Sequence, residues 1–406
     1  MEGGKKKILI ITEGMSLGGL SSSLLNLLSA IRVYPEIDVT VGLINYSSRS
    51  AFPEDVKIID LSGFSRAYSG IKDKILHLLR TGICNNLKLK KTRKALQTDK
   101  SKSAEFIKLV QKIEMREARF SKGHADFTEG YDVVISWCEM YVSYLLAYKI
   151  RAKRKIVWIH PHYEQAHFSK KIDAKMLERV DAAVAVSKEG RDALVRSFPE
   201  CKDKFAFVYN KADIEGIINK SRVRDVSYEN GEVNFITVAR IQNISKAFDR
   251  TLWVMKKLKD EGYRFKWRII GGGEDSESVK SQIAEYGLSD FVDMFGFNEN
   301  PLPYVKASDA FLLCSRYEGF PVVIDEALIL GTPPIVTEYA AAREQICDAV
   351  TGIILPNNED GVYNGVLSVL RNKDRLRQIR ENLKGQNLDR YKNCEDFLSL
   401  IDEVCR

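Results

Sequence analysis

The chain has 406 residues, too many for one ordinary domain and enough for two. It is 45% hydrophobic and 29% charged, which excludes disorder as the default state, and no apolar run reaches the roughly 18 residues of a membrane-spanning helix. The net charge of +7 is uneven: residues 71–130 hold 15 Lys and Arg against 7 Asp and Glu, a local +8 that leaves the rest near neutral.

The opening MEGGKKKILIIT carries an apolar stretch of only Ile8 to Ile11 and no small-residue cleavage site, so no secretion leader is expected. The cysteines are Cys84, Cys138, Cys201, Cys314, Cys347, Cys394 and Cys405. They are odd in number, far apart and never in a C-x-x-C pair. That argues against a disulfide frame or structural zinc, and for a reducing, cytoplasmic setting.

KILIIT (7–12) reads as a buried parallel strand, followed by the glycine turn EGMSLGGLSSS and a helical LLNLLSAI. Strand, glycine turn and helix open a doubly wound fold. VTVGLI (39–44), DVVISW (132–137), KIVWIH (155–160), AAVAVS (182–187) and FAFVYN (205–210) continue the alternation. It implies a parallel sheet covered on both faces.

Residues 62–130 interrupt this beat. Ile71, Ile75, Leu78 and Leu79 share one helical face, and Lys88, Lys90, Lys91, Arg93 and Lys94 follow, so a basic amphipathic helical pair is expected. It is either a solvated face or, through 71–100, an anchor on an anionic membrane surface. Few aromatics and no recognisable module argue against nucleic acid as a partner.

A second run of strands begins beyond the polar stretch SRVRDVSYENGE (221–232): VNFITVAR (233–240), KWRIIGGG (266–273), VDMFGF (292–297), DAFLLCS (309–315), PPIVTE (333–338) and GIILP (352–356). TLWVMKKLKDEG and SESVKSQIAEYG read as helices closing at glycine. The expected architecture is α/β: an N-terminal Rossmann-like domain over 1–220, a second over 221–385, and a terminal helix over 386–406 that crosses back to the first.

The most informative stretch is YEGFPVVIDEALILGTPPIV (317–336). Glu318 and Glu326 stand seven residues apart, with a Gly319-Phe320-Pro321 turn between them and VVIDEALIL as a helix. Glu318 is expected before the helix start and Glu326 about one turn in. A turn and a helix N-terminus offer backbone N–H groups to a hydroxylated or phosphorylated ligand. A carboxylate accepts hydrogen bonds from the vicinal hydroxyls of a sugar.

This spacing resembles the E-x7-E signature of retaining GT-B glycosyltransferases, in particular glycosyltransferase family 4. VARIQNISKAFD (238–249), RIIGGGEDSESV and FGFNENPLPYVKASDAFLLCS resemble further family segments in the family's order, across nearly all of the second half. In the first half GGLSSSLLNL, AVAVSKEGRD and YNKAD match weaker patterns. The resemblance implies two Rossmann-like domains facing across a cleft. It implies that Arg240 and Lys246 neutralise the donor diphosphate, which gains charge as it leaves. Glu326 would hold the ribose hydroxyls. Glu318 with the backbone at Gly319, Phe320 and Pro321 would hold the transferred sugar. Gly18 and Gly19 would let the backbone approach the phosphates. Phe297 and Asn298 lie where the base sits, and His160 or His162 would face the sugar. The family commonly has Gly where this chain has Ala239, Ala247 and Lys211, and each added side chain narrows the donor pocket.

Gly271-Gly272-Gly273 lacks the Lys-Ser/Thr of a Walker A loop, so it is a tight strand-end turn or a ligand contact. His160, His162, Glu164 and His167 crowd together but match no metal motif, so no metal and no cofactor are expected. The function implied is retaining, metal-independent transfer of a hexose or N-acetylhexosamine from a UDP-sugar to a glycan. The acceptor would be a glycan or a lipid-linked glycan for a cell-surface polysaccharide, met in the cytoplasm or at the inner face of the cell membrane. The rivals are a nucleotide-sugar epimerase or phosphorylase on the same fold, and a non-catalytic scaffold.

Overall fold

The computed structural model describes residues 5–15, 18–64, 103–121, 123–228 and 231–406. The basic stretch 71–100 lies outside the described residues. Of the expected insert, the helix Ser103–Phe120 is described. The chain divides into two compact units, Met1–Tyr209 with Cys394–Arg406, and Asn210–Asn393.

The first unit contains β1 (Lys6–Thr12), β2 (Ile37–Leu43), β3 (Lys57–Asp60), β4 (Ala125–Asp126), β5 (Val133–Ser136), β6 (Ile150–Arg151), β7 (Lys155–Ile159), β8 (Ala182–Ala185) and β9 (Phe205–Phe207). Seven of these form one parallel sheet in the order β3-β2-β1-β5-β7-β8-β9, and β4 pairs with β6. Ile8, Leu9, Ile10 and Ile11 are wholly buried, as a parallel strand covered on both faces requires. Every strand expected from the sequence is present. The edge strand β3 is an addition, because KIID is short, polar-ended and never fully buried. The terminal helix Glu395–Cys405 belongs to this unit. Its Phe397 is fully buried beside Trp158, and Asp402 pairs with Lys6.

The second unit contains β10 (Val233–Val238), β11 (Phe265–Ile270), β12 (Val292–Gly296), β13 (Ala310–Leu313), β14 (Pro334–Thr337) and β15 (Ile353–Leu355). They form a parallel sheet in the order β12-β11-β10-β13-β14-β15. The break between units falls at Tyr209/Asn210, upstream of the 221–232 stretch read as the linker. The reason is packing: Ile214 and Ile217 of the helix Ile214–Lys220 cluster with Leu302 and Tyr391 in the second unit.

In both sheets the first strand of the unit is central and the order reverses beside it, at β1/β5 and at β10/β13. Loops at the carboxyl ends of such neighbouring strands diverge and leave a crevice, the usual ligand position in doubly wound sheets. The glycine-rich turn after β11 serves backbone packing. Gly271 has a positive φ of 146°, and a Cβ there would collide with the Ala239 carbonyl oxygen. That favours the tight-turn reading of the three glycines over direct ligand contact.

Candidate functional site

The crevice of the second unit gathers the expected acidic and basic residues. Arg240 and Lys246 follow β10, and Glu318 follows β13. Because β10 pairs with β13 through Phe235–Ala310 and Ile236–Phe311, residues 72 apart in sequence meet. Lys246 Nζ donates to Glu318 Oε1 at 2.5 Å, and Ser315 Oγ donates to the same oxygen at 2.6 Å. The pair is largely enclosed, with 19% and 10% of the side chains exposed.

The short helix Asn243–Lys246 that carries the lysine is pinned from several sides. Asp275 Oδ2 accepts from the Asn243 amide at 2.6 Å. Arg316 forms a bidentate pair with Asp249 at 3.0 and 3.1 Å, and its amide donates to the Ser245 carbonyl at 2.7 Å. Bidentate guanidinium–carboxylate pairing fixes orientation as well as distance. Ala247 closes the helix with φ 54° and ψ 39°, the left-handed region that suits glycine. It is fully buried, so its methyl group does not line open space.

Arg240 stands apart from this pair. Its side chain is 69% exposed and its Nε donates to Glu274 Oε2 at 3.0 Å. Glu274 also accepts from Gln242 at 2.7 Å, so it gathers the loop after β10. Phe297, half exposed, and Asn298 follow the edge strand β12. Asn298 caps its own loop by accepting from the Asn300 amide at 2.9 Å.

Glu326 lies one turn into the helix Val322–Ile329, and Glu318 precedes that helix. Glu326 is half-buried; burial, and then the neighbouring Asp325 charge, push its carboxyl up to about 7, opposed by Lys220. Phe320 is buried, and Gly319 and Pro321 are half-buried. Asp325, on the buried side of the helix, is raised to about 6 by burial, against the pull of Arg390.

In the first unit, Gly18 precedes the helix Gly19–Ile31 with φ 150°, and a Cβ there would meet nothing within 4 Å. His160 follows β7, and its Nε2 lies 2.9 Å from the Trp137 carbonyl. A carbonyl only accepts, so Nε2 carries the proton and Nδ1 is left as an acceptor. Burial pushes His160 down to about 4, so it is neutral at pH 7. Its amide donates to Glu139, whose carboxyl burial raises to about 7. His162 is only 7% exposed, with Nε2 3.6 Å from Glu189 Oε1. Glu164 pairs with Arg196. Among the described residues no group of three or more His, Cys, Asp or Glu is placed to hold a metal ion.

Sequence reasoning missed Ser315, Glu274, Glu139, Asp325 and Gln345. Only Asp325 left a signal: it interrupts an apolar run on the helical face shared by Val322 and Leu328, three residues to either side.

Two doubly wound units with these strand orders define the GT-B class of fold. Residues 220–386 match the family model for glycosyl transferases group 1. The chain is 25% identical over 228 residues to the N-acetylgalactosamine-N,N'-diacetylbacillosaminyl-diphospho-undecaprenol 4-alpha-N-acetylgalactosaminyltransferase of Campylobacter jejuni, covering 55% of this chain and 60% of that protein. It is 31% identical over 137 residues to the putative colanic acid biosynthesis glycosyltransferase WcaL of Escherichia coli, covering 31% of this chain and 33% of that protein. The chain thus spans little over half of the first relative and a third of the second. The fold matches that of Anabaena HepE in complex with UDP and glucose, with a TM-score of 0.67, 15% identity, and coverage of 98% of this chain and 99% of that one. Among the described residues, no helix is long and apolar enough to cross a membrane.

Proposed function

We propose that the chain is a glycosyltransferase that moves a hexose or N-acetylhexosamine from a UDP-sugar to a glycan hydroxyl, with retention at the anomeric carbon. The observation that carries this reading is the Lys246–Glu318 pair at the carboxyl ends of β10 and β13, with Glu326 on the next helix. It sets a cation, for phosphate, against one carboxylate, with a second carboxylate on the helix that follows, at the switch point of a doubly wound sheet. β12 and β10, the strand that Lys246 follows, are two strand spacings apart, roughly 10 Å. That span suits a base at Phe297 and Asn298 and a diphosphate at Lys246.

In this reading Lys246 turns from Glu318 to the diphosphate, and Arg240 leaves Glu274 for it. Both cations stabilise charge that grows as the bond to the sugar breaks. Glu326 accepts from the ribose hydroxyls, and Glu318 from those of the transferred sugar. The departing phosphate oxygen takes the proton of the incoming hydroxyl on the same face, so no side chain need act as a covalent nucleophile. Gly18, Gly19 and His160 belong to the first unit, whose proposed part is to receive the acceptor and approach the phosphates. His160 suits the sugar better than His162, because His160 is half-buried whereas His162 is only 7% exposed. The Campylobacter relative is named for transfer to a diphospho-undecaprenol-linked glycan. A lipid-linked acceptor, and an anionic membrane surface for 71–100, are the corresponding partners here.

The test is thermal unfolding of the purified chain with UDP, GDP, ADP or TDP, without added metal. UDP is expected to stabilise it, by about 2.7 kcal/mol at 100 times its dissociation constant. No stabilisation by any nucleotide would sink the reading. Stabilisation without turnover would leave a non-catalytic scaffold, and release of free sugar or sugar phosphate without an acceptor would mark an epimerase or phosphorylase.

Two further results are expected. Turnover is expected to be unchanged by EDTA, since Arg240, Lys246 and helix N-termini meet the donor charge; loss on chelation and recovery with Mg2+ or Mn2+ would overturn this. Donor affinity is expected to rise as pH climbs through about 7, because Glu326 ionises there and a carboxylate accepts from both ribose hydroxyls. Titration calorimetry from pH 6 to 8 checks it, and Glu326→Gln is expected to flatten the profile.

A further inference from the structure

Residues 319–321 form no regular secondary structure, yet two successive carbonyls of the turn are held by buried side chains. Asn210 Nδ2 donates to the Phe320 carbonyl at 3.0 Å. Gln345 Nε2 donates to the Pro321 carbonyl at 3.2 Å and to Asp325 Oδ1 at 3.1 Å. Gln345 Oε1 accepts from Tyr339 OH at 2.6 Å, which fixes the orientation of the amide. Asp325 also accepts from Tyr391 OH at 3.2 Å and from Arg390 at 3.4 Å. Asn210, Gln345 and Asp325 are each less than one-tenth exposed.

Such a cluster is a costly way to fill space beneath a helix. Apolar side chains of the same volume commonly do as well or better for stability. What the cluster adds is direction. In a trans peptide the C=O and the next N–H point opposite ways. Drawing the Pro321 carbonyl towards Gln345 therefore aims the Val322 N–H away from it. Val322 is the first residue of its helix, where N–H groups have no intrahelical partner. Holding the Phe320 carbonyl on Asn210 fixes the preceding peptide, next to Gly319 and Glu318.

We infer that Asn210 and Gln345 are positioning residues that aim the Glu318–Val322 turn at the transferred sugar of the donor, with Asp325 locking Gln345 from behind. The inference rests on the donor reading above and goes beyond it, because it separates the two halves of the donor. The sugar half depends on this clamp. The nucleotide half depends on it less: Arg240 is held by Glu274, Phe297 and Asn298 follow a different strand, Lys246 is carried by the helix Asn243–Lys246, and Glu326 sits inside the helix Val322–Ile329, one turn past the clamped carbonyls.

The test compares UDP with UDP-glucose, UDP-galactose, UDP-N-acetylglucosamine and UDP-N-acetylgalactosamine on the full chain by calorimetry. Gln345→Met and Asn210→Ala are each expected to keep UDP binding within twofold of wild type. Both are expected to weaken binding of the preferred UDP-sugar about tenfold, the loss that one hydrogen bond of orientation implies. Asp325→Asn keeps an acceptor oxygen for Gln345, Tyr391 and Arg390, and is expected to retain the wild-type ratio of UDP to UDP-sugar affinity. Circular dichroism shows which variants fold. If Gln345→Met does not, Asn210→Ala, which breaks no ionic contact, decides. Folded variants that lose UDP and UDP-sugar together, or lose neither, overturn the inference while leaving the donor reading intact. A wild-type chain that binds none of the five ligands overturns the UDP-sugar reading and the inference with it.

Discussion

Lys246→Met is expected to cut sugar transfer by a factor on the order of 10²–10³ and to destabilise the second unit by about 2–3 kcal/mol. The two losses have different causes. Transfer falls because the leaving diphosphate loses a cation that acts as its charge grows. Stability falls because Glu318, with only 10% of its side chain exposed, keeps its charge and loses its partner. Ser315 Oγ remains on Glu318 Oε1 but does not neutralise it. The double variant Lys246→Met, Glu318→Gln removes the uncompensated charge and is expected to recover most of the stability and none of the transfer. Denaturant unfolding and single-turnover transfer, measured on the same preparations, separate the effects. A single variant that unfolds like wild type would show that the pair contributes little to the fold. A double variant that regained activity would remove Lys246 from the chemistry.

Glu326→Gln is expected to abolish useful donor binding, raising the donor KM about 100-fold, while making the folded chain more stable above pH 7. The sign comes from the raised carboxyl. Its folded value of about 7 lies above the unfolded value near 4.5, so the folded state holds the proton more tightly. The stability that this group contributes is therefore present at low pH and is lost as pH rises through about 7. Glutamine stays neutral and avoids that loss. The melting temperature of the variant should exceed that of wild type at pH 8 and approach it at pH 5. A binding residue that weakens the fold it belongs to is a familiar trade between stability and function. An equal drop in melting temperature at both pH values would refute the electrostatic account, and turnover at the wild-type rate would remove Glu326 from the site.

The sequence alone determined a good deal. The apolar runs KILIIT, VNFITVAR and DAFLLCS carry the mark of strands buried on both faces, and each is a strand in the structure. The turn-then-helix reading of residues 319–329 needed only the Gly-Phe-Pro punctuation and the helical spacing of VVIDEALI. Short edge elements escaped: in Lys57–Asp60 no residue is fully buried, so burial imposed no period to read. The linker was misplaced because polarity marks exposure, whereas unit membership is decided by which surface Ile214 and Ile217 cover.

What only the tertiary structure decided is adjacency. Strand order is not written along the chain, and it is strand order that puts β10 beside β13 and so Lys246 within 2.5 Å of Glu318. The same holds for the clamp. Asn210 and Gln345 are far apart in the sequence of the second unit, each an ordinary polar residue in its local context. Their role arises only where burial leaves them no water to bond and the turn's carbonyls are the acceptors within reach.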